Sequence, residues 1–360
     1  MSDDENAGPR RRPTISDVAH RAGVSKGLVS FALNDRPGVN ADTRERILRT
    51  AAEMGWTPDL RARSLSTNRS FALGMVLQRD TDVVAGDPFF PAFIAGVERE
   101  LSEAGQVLVL ASVPDAGVEA EAYRKLAADR RVDGVFLADL RVGDARIALV
   151  ESLGLAAVTL GHPDVPSRFP AVSVDDIGGV VATVQHLVEL GHRSLAHVSG
   201  SPDMLHARGR REAFERACAQ HGVQGRVIDA DFSARQGAEA TRALLADAEH
   251  RPTGITYSND LMALAGVAVA QRQGLSGPRD LSIAGFDDSD LARYVYPSLS
   301  SVATDAVEWG SAAARALLAS VAHTMVEDVE LAPARLVPRE STGPAPRVNP
   351  SDAASDGGSG

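Results

Sequence analysis

The chain has almost no cysteine: Cys218 stands alone among 360 residues. An intrachain disulfide is excluded, and the fold must rest on apolar packing and hydrogen bonds. The setting of that residue, AFERACAQHG, reads as a packing position on a helix. Long apolar runs are missing too. No stretch approaches the ~20 residues that cross a bilayer, and the opening MSDDENAGPRRR lacks the hydrophobic core of an export signal. A cytoplasmic protein with no membrane partner is expected. The loops of common enzyme chemistries are absent as well: no G-x-S-x-G elbow after a strand, no G-x-x-x-x-G-K-[ST] phosphate loop, no H-E-x-x-H, and no G-x-G-x-x-G opening a helix after the first strand. No catalytic residue, metal ligand or cofactor is assigned, and the chain reads as a binding protein rather than an enzyme.

What is present is unevenly distributed. The net charge is −11, yet residues 10–70 carry twelve Arg plus Lys against six Asp plus Glu, which leaves a basic head on an acidic body. Such a head turns toward phosphates while the body resists nonspecific adhesion. Residues 1–13, acidic and then basic, have no periodicity and read as a disordered arm. Arg10, Arg11 and Arg12 either reach phosphates or form a solvated charge run.

The stretch TISDVAHRAGVSKGLVSFALN, Thr14 to Asn34, spells two short helices. Thr14 is an N-cap with Asp17 three residues on, and Val18, Ala19 and Ala22 make an apolar stripe. Gly23 supplies a positive-φ turn, and Ser25 caps a second helix that points Val29 and Leu33 inward. Outward on that helix sit Lys26, Gly27, Ser30 and Phe31. This row is poor core material but suits a DNA major groove, where lysine donates to guanine O6 and N7, serine meets several bases and phenylalanine touches a thymine methyl. On these residues alone a solvated helical hairpin is the competing reading. Asn40 caps a third helix through Thr43, Ile47, Ala51 and Met54, with Gly55 as its left-handed stop. The following WTPDLRARSLSTN has Pro58 as a helix start and Leu60, Ala62 and Leu65 as its apolar members.

Taken together, T-x-x-D-V-A-x-x-A-G-V-S, the V-S and A-L-N of the second helix, T-R-E-R-I in the third and P-x-x-x-A-R-S-L after it resemble the lactose-repressor (LacI/GalR) family of transcriptional regulators. The resemblance implies an α/β protein: a three-helix helix-turn-helix DNA-binding head over 14–57, a hinge helix over 58–70, and a two-lobed periplasmic-binding-protein-like domain with parallel sheets over 71–343. The hinge has too few apolar groups to fold unaided. Asp59 replaces an asparagine common in the family, and Gly27 and Phe31 replace longer polar side chains of the lactose type, so a different operator is expected.

From Phe71 onward short apolar strands alternate with helical stretches in two successive series, which argues for parallel sheets covered by helices on both faces and for two lobes. The resemblance implies an N-lobe of about 71–173 and 303–333 and a C-lobe of about 174–301 and 334–341, with three crossings between them. Residues 344–360, rich in Pro, Ser, Gly and Asp, read as a disordered tail. They contain no heptad, so a tetramer-forming coil is not indicated.

Ligands of open α/β sheets sit beyond the carboxyl ends of strands. That rule selects Asp87, Phe89 and Phe90 after the first strand, Gly161 and His162, the loop from Ser201 to Arg210 with His206, Asn259 with Asp260, and Asp287. Each has a structural alternative: Asp260 as an N-cap of the helix it precedes, Phe89 and Phe90 as plugs of the cleft mouth. The resemblance raises Arg210 in R-x-x-x-F, Asn259 in N-D-x-M-A and Asp287 in G-F-D-D as effector-holding residues. Gly161, Met204 and Thr256 depart from relatives where specificity is set, and the effector stays open between a sugar and a purine.

The resulting expectation is a homodimeric repressor on double-stranded operator DNA, answering to a small-molecule effector, with a sugar favoured over a purine-type corepressor. Thr14, Ser25 and Asn40 would fix register through phosphates, Lys26, Gly27, Ser30 and Phe31 would face bases, and by family analogy Leu65 would wedge into the minor groove. A sugar-binding transport protein is the competing class; it would share the two lobes but have no use for residues 14–70.

Overall fold

The computed structural model describes residues 13–33, 37–56, 67, 69–79 and 81–346, which fall into two compact units divided between Arg69 and Ser70. The expected arm of residues 1–13 falls almost wholly outside them. So do most of the expected hinge, including Leu65, and the tail beyond 346.

The first unit is a three-helix head: α1 (Ile15–Ala22), α2 (Lys26–Leu33) and α3 (Ala41–Glu53). Its ends are fastened by side chains chosen for the purpose. The Thr14 amide and hydroxyl both donate to Asp17 Oδ2 at 2.7 Å, Ser25 Oγ accepts from the Leu28 amide at 3.2 Å, and Asn40 Oδ1 accepts from the Thr43 amide at 2.8 Å. Gly23 turns the corner at φ 66. Each cap contributes about 1 kcal/mol. That matters here, because the core is only Val18, Ala19, Ala22, Val29, Ala32, Ile47 and Ala51.

The second unit holds twelve strands: β1 (Ala72–Leu77), β2 (Val107–Ser112), β3 (Gly134–Leu137), β4 (Ala156–Leu160), β5 (Ala171–Ser173), β6 (Ser194–Val198), β7 (Gln224–Ile228), β8 (Gly254–Tyr257), β9 (Ser282–Asp287), β10 (Ser300–Ala303), β11 (Val329–Glu330) and β12 (Arg335–Val337). Between them run α4 (Thr81–Gly86), α5 (Phe89–Glu103), α6 (Ala116–Ala128), α7 (Ala145–Ser152), α8 (Ile177–Glu189), α9 (Leu205–His221), α10 (Ala234–Ala246), α11 (Asp260–Arg272) and α12 (Ala306–Val321). The strands form two sheets, ordered β11-β5-β4-β3-β1-β2 and β12-β10-β9-β8-β6-β7. All pairings are parallel except β10 with β12. Apolar clusters lie on both faces of each sheet, which explains why β1 and β3 are buried along their whole length.

The chain passes between the sheets three times. After β5 in the first sheet, α8 packs into the second lobe beside Val302 and Ala334. After β10 in the second sheet, α12 returns to the core of the first, and β11 and β12 then fall one in each sheet. The backbones of α5 and α12 touch: a Cβ on Gly96 would stand 1.9 Å from Val307 O, and one on Gly310 2.0 Å from Phe93 O. Only glycine permits that approach.

Several sequence expectations change. The sequence pattern predicts helices from about Pro91 to Ala104 and from Gly209 to His221; the first begins at Phe89, because proline fits the first turn, where no intrahelical amide is needed, and the second a full turn early, at Leu205. Asp260 is not an N-cap; Asn259 takes that role, its Oδ1 accepting from the Met262 amide at 2.9 Å. Asp260 is the first helical residue, its carboxylate taken by Ser301 Oγ and the Ser289 amide. The short helix α4 was not anticipated. Its Val83 packs into the core of the second lobe.

Candidate functional site

The head presents one helix face to solvent. On α2, Val29 and Ala32 are buried, while Lys26, Gly27 and Phe31 are exposed and Ser30 is half-buried. Phe31 leaves 40% of its surface open, an unusual position for a ring in so small a core. Ser25 and Asn40 lie exposed at helix N-termini and Thr14 half-buried at another. Amide-rich ends of this kind favour phosphate oxygens.

In the second unit a cavity of about 70 Å³ opens between the carboxyl ends of the two sheets. Its first-lobe wall is aromatic. Phe89 meets Phe90 edge-on at 5.5 Å and Trp309 edge-on at 5.7 Å, and Trp309 is anchored by donating Nε1–H to Val172 O at 2.8 Å. The contact of α5 with α12 holds these rings together. From the second lobe come Arg210 and His206, one helical turn apart on α9, with Phe232, Ser258, Asn259 and Asp287.

Two arginines organise the polar groups. Arg79, just past β1, grips Asp139, just past β3, through Nε and Nη2 at 2.7 and 2.8 Å, and its guanidinium lies 4.5 Å from the Phe232 ring centroid across the cleft. Its Nη1 is buried without a hydrogen-bond partner. Arg210 donates Nε–H to Asp176 at 2.7 Å and Nη1–H to Ser258 O at 2.9 Å, and lies 3.6 Å from the Phe286 ring centroid. Ser258 Oγ in turn meets His197 Nε2 at 3.1 Å, so a buried imidazole braces the strand end beneath Arg210.

Burial and charge set the protonation of this cleft. Burial pushes the Asp139 carboxyl up, but the Arg79 charge and its hydrogen bonds outweigh that and hold it well below the ordinary range. Asp87 is raised by burial against the Phe89 amide, Arg79 and Asn259. Asp287 is raised well above its usual value, by burial first and then by Asp87, with Arg210 opposing. Burial and the Arg210 charge bring His206 down to about 4, so it stays a neutral donor or acceptor. Asp287 also sits at φ 105, a conformation L-residues with a Cβ rarely adopt and one that collects at ligand sites.

The lobes touch around the cavity. The Leu205 amide donates to Leu140 O at 2.8 Å, and the Val142 amide donates to Asp203 O at 2.9 Å. Asn259 Nδ2 reaches Asp87 at 3.3 Å and Phe232 O at 3.0 Å. Phe89, Phe90, His206, Arg210, Asn259 and Asp287 therefore line one cavity. His162 does not: it lies half-exposed against Glu330 at 2.8 Å and Ser173 at 3.1 Å. Sequence reasoning missed Arg79, Asp139, Phe232 and Trp309. The first two follow strand ends, the signal that selected the others.

Comparison with known proteins gives concordant findings. The family profile "Bacterial regulatory proteins, lacI family" matches residues 14–59, and "Periplasmic binding protein-like domain" matches 184–342. The HTH-type transcriptional regulator CelR of Thermobifida fusca is 33% identical over 89% of this chain and 96% of its own length. The HTH-type transcriptional repressor PurR of Photobacterium profundum is 31% identical over 80% and 86%. Among solved structures, a transcriptional regulator CelR–cellobiose complex aligns with TM-score 0.70 at 31% identity, covering 92% of this chain and all of that one. A lac repressor dimer bound to operator and the anti-inducer ONPF aligns at 0.78 and 27%, with the same coverage.

Proposed function

The chain belongs to the lacI family of bacterial regulatory proteins, and on that premise we propose that it is a homodimeric repressor that reads a palindromic operator and is released by a small saccharide. As a DNA-binding, ligand-responsive transcriptional regulator it requires two surfaces, a reader and a sensor. Two heads related by a two-fold axis would each set α2 in a major groove, Lys26, Gly27, Ser30 and Phe31 toward base edges, with Thr14, Ser25 and Asn40 against phosphates. Leu65, outside the described residues, would enter the minor groove between them.

The observation that carries the saccharide is the composition of the cleft. Aromatic faces from Phe89, Phe232 and Trp309 suit the C–H faces of a pyranose. Asp287, to which no described residue donates a hydrogen bond, can accept from neighbouring hydroxyls, and His206 and the uncommitted Nη2 of Arg210 complete the polar set. The relative solved with cellobiose supports the same class. A relative named PurR favours a second reading, a purine corepressor held between the same rings. Ligand binding would change how the lobes meet and so alter DNA affinity.

The test is selection of binding sequences from random DNA by the purified full chain, followed by titration of the selected duplex with mono- and disaccharides and with purines. A two-fold symmetric site and release by a saccharide are expected. No sequence preference, or tighter DNA binding with a purine, would overturn the repressor–saccharide reading.

A further inference from the structure

An effector that carries a phosphate or carboxylate needs a cation in the cleft with charge to spare. Neither arginine here has any. Arg79 is neutralised by its paired hydrogen bonds to Asp139, and Arg210 by Asp176. Two carboxylates are left over. Asp87 accepts only from neutral donors, the Phe89 amide at 3.1 Å and Asn259 Nδ2 at 3.3 Å, and among the described residues nothing donates to Asp287. Among the described residues His206 is the one other titratable side chain on the cavity wall. Three carboxylates of the wall, with Asp176 behind Arg210, thus face two guanidinium groups across a small space, where like charges repel more strongly than in water.

We propose that the cleft admits an uncharged, hydroxyl-rich ligand and rejects its phosphorylated or carboxylated derivative. This rests on the saccharide reading and narrows it. Sugar hydroxyls donate to the two surplus carboxylates, and the orphan Nη1 of Arg79 serves a neutral acceptor such as a ring or hydroxyl oxygen, since the guanidinium charge is already matched by Asp139. Burial first, and neighbouring carboxylates after it, raise the Asp87 and Asp287 carboxyls. Asp287, half-buried and without a hydrogen-bond donor among the described residues, carries a cost in the ligand-free protein, because a carboxylate partly withdrawn from water and left unpaired is destabilising.

Two measurements on the full chain test this. In calorimetry with glucose and cellobiose against glucose 6-phosphate and glucuronate, with hypoxanthine alongside, a neutral sugar should bind and its anionic counterpart should be weaker by on the order of a hundredfold. Glucose 6-phosphate or glucuronate binding more tightly than glucose overturns the proposal and leaves the saccharide reading standing. Binding by hypoxanthine alone, a ligand without that set of hydroxyls, overturns the saccharide reading and this proposal with it. In the ligand-free protein, Asp287→Asn keeps a residue type tolerant of positive φ while removing the unmatched charge. Its sensor should melt at a higher temperature than the parent. A lower melting temperature overturns the proposal whatever the effector is.

Discussion

The head and the sensor place their working side chains in opposite environments. On α2 the proposed reading row faces water: Lys26 and Phe31 are exposed, over a core of seven buried apolar residues with a few partly buried ones packed against it. In the sensor the two arginines of the cleft are held by carboxylates, Arg79 by Asp139 and Arg210 by Asp176, in a unit whose sheets are covered on both faces. A reader of a polyanion can leave its cations solvated, because the partner brings the counter-charge. A receptor for a small ligand must fix its polar atoms before the ligand arrives, which requires each to be held by a second residue. The same substitution therefore has different consequences in the two regions.

The largest expected effect is in the sensor. Arg210→Ala removes a buried guanidinium, leaves half-buried Asp176 and the Ser258 carbonyl without their partner and removes the contact with Phe286, so the sensor should lose about 3–5 kcal/mol and its ligand affinity, while DNA binding by the head survives at low temperature. Calorimetric melting with a DNA titration checks both, and an unchanged ligand affinity would blur the contrast. Next, Ile47→Ala, fully buried in the head, should cost about 2–5 kcal/mol, remove DNA binding and leave the sensor transition in place. If both transitions move together, the units do not fold separately.

Lys26→Ala is the counterpart on the exposed face. It should leave both melting transitions unchanged while weakening the selected operator by about 1–3 kcal/mol, read by anisotropy at matched salt. A shift in head stability would mean that Lys26 supports the fold. The smallest effect is one of pH. Burial and Arg210 bring His197 down to about 3 and His206 to about 4. The unfolded chain takes up these protons near 6.5 and the folded sensor does not, so their stabilisation is complete above that value and lost as pH falls toward 4. Burial pushes Asp260 the other way, to about 6; the folded state then protonates first, and acidification through 6 partly offsets the loss. His197→Gln should accordingly flatten the acid side of the sensor's melting profile and leave the head's unchanged, and an unaltered profile would show that His197 does not carry the effect.

The same contrast governs what the sequence reveals. The head was readable because its caps, turn and outward row are local: Thr14 with Asp17, Asn40 with Thr43 and Lys26 with Ser30 lie within a turn of each other, and the spacing alone places them. The parallel two-sheet architecture was readable from the β-α alternation, and the resemblance anticipated the three crossings. The cleft was readable one residue at a time. Arg79 and Asp139 follow strand ends, but they meet only because β1 and β3 become neighbours in a sheet, and Trp309 reaches the aromatic wall only through the second crossing, which no local pattern marks. Asn259 rather than Asp260 caps the helix for a similar reason: either side chain can cap, and Ser301, some forty residues away, engages Asp260. His162 follows a strand end as the rule requires, but Glu330 and Ser173 take it out of the cavity.

Occupancy of the cleft and engagement of operator DNA are expected to be coupled, and linkage makes that coupling reciprocal. The most direct measurement titrates the full chain with its selected saccharide, free and bound to its selected operator, and with operator in the presence and absence of that saccharide. The account predicts that each ligand weakens the other by the same factor, corresponding to about 1–3 kcal/mol. Saccharide binding of identical affinity on free and operator-bound protein would contradict it.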